Sequence, residues 1–477
     1  MSERILERSL KFLILLLALI LLAILVIPFT AEAQIVIKRS IRPGNTSVIH
    51  DLSTNAITIS GSTLTATNPF PDSIGVGDAV QYDSSNSGAV TSIAFLHSRT
   101  SSTVWTVKRA NGAAPSPCTS DTDGDIFGAY TSLANYIAGT ENTGISATVR
   151  AFDSWNTSLI TTTQERHAIC YPGTDATTVE INWISNSTYQ LKIYTPYLTS
   201  DVGTTQRHAG IFTGRCYFLS TSNATGSITS TSASGNQYYW TFSGLQIKNT
   251  VGDGLHDGHG SAGTASNIFV DSCIFIGSDN SSSSASHTGI DISSTKSVTY
   301  YIRNCIFYQW NSSAASNNNT GVHINGSSAG AYIYNCTAWD NDRCYVQIAG
   351  TGVCKNSIGA SGTTASPTTW QGSWNAASDY NVDSRSLAPG ANSTKAVVVA
   401  FVDSTNKNFH LKSTDTQAKN TGTNLSADAN LPFTDDIDGG TRPDISTWDR
   451  GADEEGVSYG VVAGTSPTLL RRRNPVQ

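Results

Sequence analysis

A short pattern that recurs between residues 242 and 361 constrains this chain more than any other feature. Its copies are FSGLQIKN (242–249), VDSCIFIG (270–277), IRNCIFYQ (302–309), IYNCTAWD (333–340) and CKNSIGAS (354–361). When the copies are aligned, one column contains Gly244, Cys273, Cys305, Cys336 and Ser357, with intervals of 29, 32, 31 and 21 residues. Self-similarity at a period of roughly 20–50 residues indicates stacked structural repeats.

The content of each repeat predicts short strands rather than helices. Every copy contains two or three runs of apolar or alternating residues, separated by Gly, Asn and Ser. Units of this size, with insertions confined to turns, are typical of a parallel β-helix. The column before the cysteines contains Asn304, Asn335 and Asn356. Asn tolerates left-handed backbone and its amide can bond to like residues above and below, so we expect an Asn ladder at a tight corner.

Composition supports an all-β chain and argues against nucleic acid as a partner. Only 14% of the residues are charged, and there are 40 glycines, 18 tyrosines and a single methionine. This balance suits many strands joined by tight turns. The net charge is −7, and the only basic run, Arg471–Arg473, is at the C-terminal end. A protein with that balance does not present the basic surface that nucleic-acid binding requires.

The first 33 residues have the features of an export signal. Basic residues precede an apolar run from Phe12 to Phe29, which is followed by Ala31-Glu32-Ala33. A charged region, an apolar region and a small-residue site in this order predict a cleaved signal peptide. The run is also long enough to span a bilayer, so an uncleaved anchor remains an alternative, and membrane contact is expected only through that segment. We therefore expect the protein to be extracellular or at the cell surface.

Changes in pattern along the chain predict five segments. A helix over Gly128–Ala138 is expected to cap the first coil, because a repeat stack exposes the apolar end of that coil. The predicted segments are a signal peptide or anchor (1–33), a small β unit (34–127), the helix-capped parallel β-helix (128–430), a closing segment (431–456) and a loose tail (457–477).

The eight cysteines are expected to be mainly core thiols. Three of them share one column of the repeat, where a free thiol behaves as a small apolar side chain. No CxxC pair is present, so the sequence does not support a zinc site. Cys344 and Cys354 are the pair that we would test for a disulfide.

Two segments resemble a known family. NFHLKSTDTQAKNTGTN (408–424) and FTDDIDGGTRPDISTWDRGADE (433–454) resemble the closing motifs of exported bacterial right-handed parallel β-helix proteins of the pectate-lyase-like superfamily. AYTSLANYIAGTEN (129–142) is similar to the entry helix of the same group, although Tyr136 replaces the usual Trp. The resemblance implies the right-handed form of the fold. It implies little about activity, because the group includes lyases, surface proteins and phage-associated proteins.

A second column is the main candidate for a functional site. Leu255, Ile290, Val322 and Val346 are expected to point inward, so that a ladder of four polar side chains points outward. The outward residues are His256, Asp291, His323 and Gln347. We expect neighbouring coils about 4.8 Å apart, and Asp253, Asp257 and His259 would lie beside the ladder.

This ladder could do several things. A His beside a carboxylate can perform acid–base catalysis or hold a divalent metal, which makes His256, Asp291 and His323 the candidate catalytic residues. It could also bind sugar, with Trp310 and Trp339 stacking on pyranose faces, or be a plain solvated face. Core packing is the alternative role for the tryptophans.

The acidic closing segment offers a second site. Asp435, Asp436, Asp438 and Asp449 could bind calcium, or Asp438 could pair with Arg442 to seal the last coil. The function expected from the whole sequence is binding or adhesion to polysaccharide. The alternatives are a polysaccharide lyase or glycoside hydrolase acting along the ladder, and a structural spacer.

Overall fold

The computed structural model describes residues 34–155, 157–230, 237–258, 265–278, 287–311, 319–361, 368–443 and 447–456. The predicted signal (1–33) and tail (457–477) lie outside these ranges. Within them, no helix is long and apolar enough to cross a membrane.

The N-terminal part of the described chain contains one strand of the β-helix and an antiparallel sheet. Its strands are β1 (Ile35–Ile41), β2 (His50–Asp51), β3 (Ile57–Ser60), β4 (Thr63–Ala66), β5 (Ala79–Tyr82), β6 (Ser92–Arg99), β7 (Val104–Lys108), β8 (Cys118–Asp121) and β9 (Asp125–Phe127). Strands β2 to β9 form the antiparallel sheet, in the order β2-β9-β5-β6-β7-β4-β3-β8. Strand β1 instead lies beside β10 in a sheet of the β-helix.

Two short helices follow, α1 (Leu133–Ala138) and α2 (Leu159–Thr162). Helix α1 begins later than the predicted Gly128, because the preceding residues pair with β1: Tyr130 donates its N–H to the Ser40 carbonyl at 3.0 Å. The Ser132 side chain caps the helix by accepting from the Asn135 N–H, and Gly139 ends it with a φ of 70°. Its buried face contributes Leu133 and Tyr136 to the core, as a capping helix should.

The strands of the β-helix then run in chain order, with three strands to a regular coil. They are β10 (Gln164–Cys170), β11 (Gly173–Asp175), β12 (Val179–Ile181), β13 (Leu191–Tyr194), β14 (Tyr217–Thr221), β15 (Gly226–Ser230), β16 (Tyr239–Ser243), β17 (Gln246–Asn249), β18 (Asp253–Asp257), β19 (Ser266–Asp271), β20 (Ile274–Ile276), β21 (Thr288–Ile292), β22 (Val298–Arg303), β23 (Ile306–Tyr308), β24 (Thr320–Ile324), β25 (Ala329–Tyr334), β26 (Thr337–Trp339), β27 (Arg343–Gln347), β28 (Thr351–Lys355), β29 (Ile358–Ala360), β30 (Thr368–Gly372), β31 (Val382–Asp383) and β32 (Thr394–Lys395). A final antiparallel pair is β33 (Phe401–Asp403) and β34 (Asn408–Leu411).

Each strand pairs in parallel with the equivalent strand of the next coil, which makes the fold a right-handed parallel β-helix. The described residues contain three such sheets. The first has the order β1-β10-β13-β16-β19-β22-β25-β28, the second β11-β14-β17-β20-β23-β26-β29-β31-β32, and the third β12-β15-β18-β21-β24-β27-β30.

Alternation of side chains along each strand fills the interior. In β22, Val298, Tyr300 and Ile302 are buried, whereas the residues between them are half-buried. The same apolar positions repeat on neighbouring strands because the register is one-to-one, from Ser266 opposite Val298 to Asp271 opposite Arg303. Stacking like on like therefore produces one continuous core.

The predicted corner is present, with one correction. Ser272, Asn304, Asn335 and Asn356 have φ values of 50°, 52°, 48° and 52°, and the equivalent residue of the preceding coil is Gly244, with a φ of 68°. Ser243 pairs with Asp271, so Gly244 belongs to the corner column and not to the cysteine column. The predicted alignment of the first copy of the repeat is therefore wrong by one residue.

The amides of the corner column bond mainly to the closing segment rather than to one another. Asn356 donates to Asn335 Oδ1 at 3.2 Å, as the predicted ladder requires. Asn304 instead donates to the Asp435 carbonyl, and Asn335 donates to the carbonyls of Asp449 and Gly451. The corner thus holds the closing segment against the β-helix.

All eight cysteines lie in the described ranges, and all are buried free thiols, including Cys344 and Cys354. Cys273, Cys305 and Cys336 are fully buried in the core column predicted for them. Burial raises the pKa of the Cys344 thiol, because the thiolate would lose its hydration.

The closing segment is sealed by a different pair from the one predicted. Arg442 is fully buried, and its Nη1 donates to Glu454 Oε2 at 2.7 Å, not to Asp438. Asp438 Oδ2 instead lies 2.7 Å from His410 Nε2. Arg442 therefore pairs with Glu454 and not with the predicted Asp438.

Candidate functional site

The outer face of the third sheet brings together three of the predicted residues. His256 in β18 is opposite Asp291 in β21, and Asp291 is opposite His323 in β24. The preceding residue of each strand, Leu255, Ile290 or Val322, is buried in the core. The predicted alternation and the His–Asp–His order are thus confirmed for these three coils.

A glycine precedes the inward residue in each of these strands for a steric reason. A Cβ on Gly289 would lie 2.5 Å from the Gly321 carbonyl oxygen and 2.7 Å from the Phe307 ring. Gly254 has the same surroundings one coil earlier, with the Gly289 oxygen 2.6 Å away. Only glycine lets consecutive coils approach so closely here, and this keeps the polar side chains in register.

We call the cluster of Asp253, His256, Asp291 and His323 the strip. His256 Nδ1 lies 2.9 Å from Asp253 Oδ2 and 3.2 Å from Asp291 Oδ2. His323 Nδ1 lies 3.0 Å from Asp291 Oδ1. Asp291 therefore bridges two imidazoles, one on the coil before it and one on the coil after it, and fixes the orientation of both rings.

A further contact holds Asp253 in place. Its Oδ1 accepts from the N–H of Thr288 at 2.7 Å and from the hydroxyl of the same residue at 2.9 Å. The carboxylates are more enclosed than the imidazoles, since 12% of each Asp side chain is exposed and 24% of each His side chain. The imidazoles are therefore the more accessible groups of the strip.

The carboxylates set the charge of the strip. Hydrogen bonds to Asp253 and Asp291 raise the pKa of His256 to about 10, against the effect of burial. Burial opposes ionisation of Asp291, but hydrogen bonds from His256 and His323 outweigh it and lower the pKa of that carboxyl. Burial raises the pKa of Asp253, which shares the same imidazolium with Asp291. At neutral pH, His256 is a cation held between two acids.

Two other predicted residues point elsewhere. His323 is opposite Val346, so Gln347 falls in the column of Ile324 and not in the ladder. The Gln347 amide instead closes a turn, donating to the Gly350 carbonyl and accepting from the Gly352 N–H. The prediction for Gln347 is therefore wrong, because Tyr345 and not Val346 takes the inward place in this coil.

Asp257 faces the interior, and His259 lies outside the described residues. Asp257 follows His256 in β18, and alternation turns its side chain inward, where it is fully buried. It accepts from the Ser230 hydroxyl at 3.2 Å and from the Tyr300 hydroxyl at 3.0 Å. It therefore satisfies core hydroxyl groups and does not belong to the outer face.

The tryptophans are not exposed stacking platforms. Trp310 is 1% exposed and belongs to the main core. Trp339 is half-buried, and its ring packs against Phe401 and Phe409 of the final antiparallel pair at centroid distances of 5.4 and 6.0 Å. Both rings pack against other side chains, which agrees with the core-packing alternative and not with exposed stacking platforms.

The strip has the donor types of a metal site, since donor atoms of Asp253, His256 and Asp291 lie within 4.8 Å of one another. In this arrangement, however, His256 Nδ1 turns its proton towards both carboxylates and occupies the place that a cation would need. The residues present therefore fit an internal imidazolium better than a calcium ion, which prefers oxygen ligands alone.

Comparisons with known proteins do not assign the chain to a family. No family model matches it, and no curated protein does. Among solved structures, the crystal structure of pectate lyase Pel9A is similar, with 15% identity over 61% of this chain and 88% of that chain, and a TM-score of 0.27. A similarity this low does not extend to activity or substrate.

Proposed function

We propose that the protein binds a polysaccharide along the strip and does not cleave it. The observation that carries this proposal is the Asp291 bridge, which engages Nδ1 of both His256 and His323 and leaves each Nε2 for a ligand. The strands that carry the two imidazoles are two coils apart, which separates their backbones by about 10 Å. Rigid polar groups repeated along a sheet suit an extended ligand with repeating hydroxyl groups, because little side-chain entropy is lost on binding.

The charge of the strip favours a neutral polysaccharide. The carboxyl groups of Asp253 and Asp291 outnumber the single imidazolium, His256, that both of them contact. An anionic chain would be repelled from such a surface, whereas sugar hydroxyls can donate to carboxylates and accept from imidazole N–H groups. We therefore infer that hydroxyl-rich neutral chains bind better than polyuronates.

A lyase is the second candidate, and the Asp291–His323 pair favours it. A carboxylate on Nδ1 orients the imidazole and strengthens Nε2 as a proton acceptor. A glycoside hydrolase fits less well, because its two carboxyl groups must flank the scissile bond. Here Asp253 and Asp291 both converge on His256, so an imidazole ring already occupies the space between them.

Retention and turnover assays test the proposal together. The purified protein is run in affinity gels containing neutral or acidic polysaccharides, and unsaturated products and new reducing ends are measured with and without calcium. We expect retention on a neutral polysaccharide that is lost in His256→Ala and His323→Ala but kept in His97→Ala, a half-buried histidine of the antiparallel sheet.

The other outcomes decide between the alternatives. Products that disappear in His323→Ala would replace binding by a lyase activity. Retention on no polysaccharide would contradict the proposal and favour a structural spacer. Export belongs to the same proposal, since such a ligand lies outside the cell, and N-terminal sequencing of the secreted protein checks for cleavage after Ala33.

A further inference from the structure

A second cluster of charged side chains lies where the closing segment meets strand β34. His410, Asp436, Asp438, Asp453 and Glu454 line one cleft of about 180 Å³. We call it the closing cleft. With Arg442 included, this cluster carries four acids and two basic groups, so it is short of positive charge.

The orientation of His410 is fixed by a neighbouring amide. Asn408 Oδ1 accepts from the backbone N–H of His410 at 3.2 Å and from its Nδ1 at 2.5 Å. The atom that accepts from the backbone N–H must be the amide oxygen of Asn408. Because His410 Nδ1 contacts the same oxygen, Nδ1 carries a hydrogen. Nε2 then faces Asp438 Oδ2 at 2.7 Å and Asp453 Oδ1 at 4.0 Å. A lone pair facing two carboxylates is repelled unless a proton or a metal ion lies between them.

Two buried carboxylates leave an oxygen atom for that cation. Asp453 is 6% exposed, and its Oδ2 accepts from the Leu411 N–H, whereas Oδ1 has no hydrogen-bond donor among the described residues. Asp436 is 1% exposed, and its Oδ1 accepts from the N–H groups of Asp438 and Gly440. Its Oδ2 likewise has no donor within the described ranges. Both residues line the closing cleft, and neither oxygen is fully enclosed, so a cation in the cleft would find carboxylate ligands there.

A glycine leaves the space that an ion needs. Gly210 has a φ of 64°, and a Cβ there would lie 2.5 Å from Asp438 Oδ1 and 2.8 Å from His410 Nε2. The loop backbone thus closes one side of the cleft while no side chain enters it. Three segments distant in sequence meet at this point: the loop at Gly210, strand β34 and the closing segment.

We propose that the closing cleft binds one divalent transition-metal cation through His410 Nε2, Asp438 and Asp453. Donor atoms of these residues lie within 4.8 Å of one another, and Asp436 faces the same space. An imidazole nitrogen combined with carboxylates favours ions such as Zn²⁺ or Mn²⁺ over Ca²⁺, which takes oxygen ligands. Asn408 is a positioning residue, because it holds the ring with Nε2 towards the ion. The ion would fasten the closing segment to strand β34.

Metal retention by the full chain tests this site. The protein is stripped with a chelator and dialysed against Mn²⁺, Zn²⁺ or Ca²⁺ in separate arms, and bound metal is measured by elemental analysis after gel filtration. We expect about one equivalent of Mn²⁺ or Zn²⁺ and none of Ca²⁺. We also expect at least a tenfold loss of affinity in His410→Gln and Asp453→Asn, and a loss of about 10–100-fold in Asn408→Ala.

The matched control is His256→Gln, which alters the other His–Asp cluster and should keep the metal. Binding that is lost in His256→Gln but kept in His410→Gln would overturn the assignment, as would retention of no transition metal. Retention of Ca²⁺ unaffected by His410→Gln would refute the nitrogen ligand. If His410→Gln does not fold, the wild-type protein still decides the matter. Its thermal midpoint must rise when Mn²⁺ or Zn²⁺ is added after stripping, and an unchanged midpoint contradicts the proposal.

Discussion

Replacing Arg442 should show how strongly the closing segment is held. Its guanidinium is fully buried and donates from Nε to the Asp435 carbonyl at 3.0 Å, from Nη1 to Glu454 at 2.7 Å and from Nη2 to the Ala452 carbonyl at 3.0 Å. It also lies 3.3 Å from Asn304 Oδ1 in the corner column. Arg442→Met keeps the apolar stem and removes every donor at once.

The expected loss of stability follows from the Glu454 carboxyl group, which remains buried without its partner. Removing one partner of a buried ion pair costs about 3–5 kcal/mol, because the other charge is left uncompensated. Burial raises the pKa of Glu454 to about 7, so its protonation near neutral pH limits the cost, and we expect about 3 kcal/mol at pH 7. At pH 9, Glu454 in the folded variant is either a buried charge without its partner or a carboxyl whose protonation costs free energy. In both cases the loss of stability should be larger than at pH 7.

Urea unfolding followed by tryptophan fluorescence measures this loss of stability. The reporting residues include Trp448, whose indole packs against Phe433 inside the closing segment at 5.2 Å. Arg385→Met is the matched control, since Arg385 is exposed and should change stability by less than about 0.5 kcal/mol. Adding Glu454→Gln to Arg442→Met should restore part of the loss. A loss below about 1 kcal/mol in Arg442→Met at both pH values would refute the reasoning.

Three further predictions concern the strip and the core. His256 should stay protonated at pH 8 in NMR titrations, because its pKa is raised above the usual value. Its stabilising contribution is complete below about pH 6.5 and is lost as the pH rises through about 10. A titration midpoint near 6.5 would contradict this. Gly289→Ala should cost about 1–3 kcal/mol by overpacking, more than Gly214→Ala, where an added Cβ meets no atom within 4 Å. Equal losses in urea unfolding would disprove the close approach. A thiol reagent should modify none of the eight buried cysteines before unfolding and all eight afterwards; fewer than eight in denaturant would reveal a disulfide.

The repeat made the architecture predictable because each strand pairs with its own equivalent one coil away. The spacing of the repeat therefore predicts which strands pair with each other. The left-handed corner at Asn304, Asn335 and Asn356 follows from residue type, because Asn tolerates that backbone conformation. The His256–Asp291–His323 order followed in the same way, from counting inward and outward positions.

The errors occurred where that rule stops applying. Tyr345 and Val346 are both apolar, so alternation could not decide which of them points inward, and Gln347 was misplaced with them. Trp339 is covered by Phe401, more than sixty residues later, and such a contact leaves no periodic signal. The partners of Arg442 and Asp438 depend on the path of a non-repeating turn. His410 was missed because its partners, Asp438 and Asp453, come together only when the closing segment folds back.

The central claim, that the strip binds polysaccharide, is tested most directly by histidine modification with and without ligand. Diethyl pyrocarbonate acylates neutral imidazole, and peptide mass spectrometry reports the extent at each histidine. With the retained polysaccharide bound, we predict that His323 is protected severalfold while His97 is modified at the same rate as before. Equal modification of His323 in the presence and absence of every polysaccharide would contradict the claim.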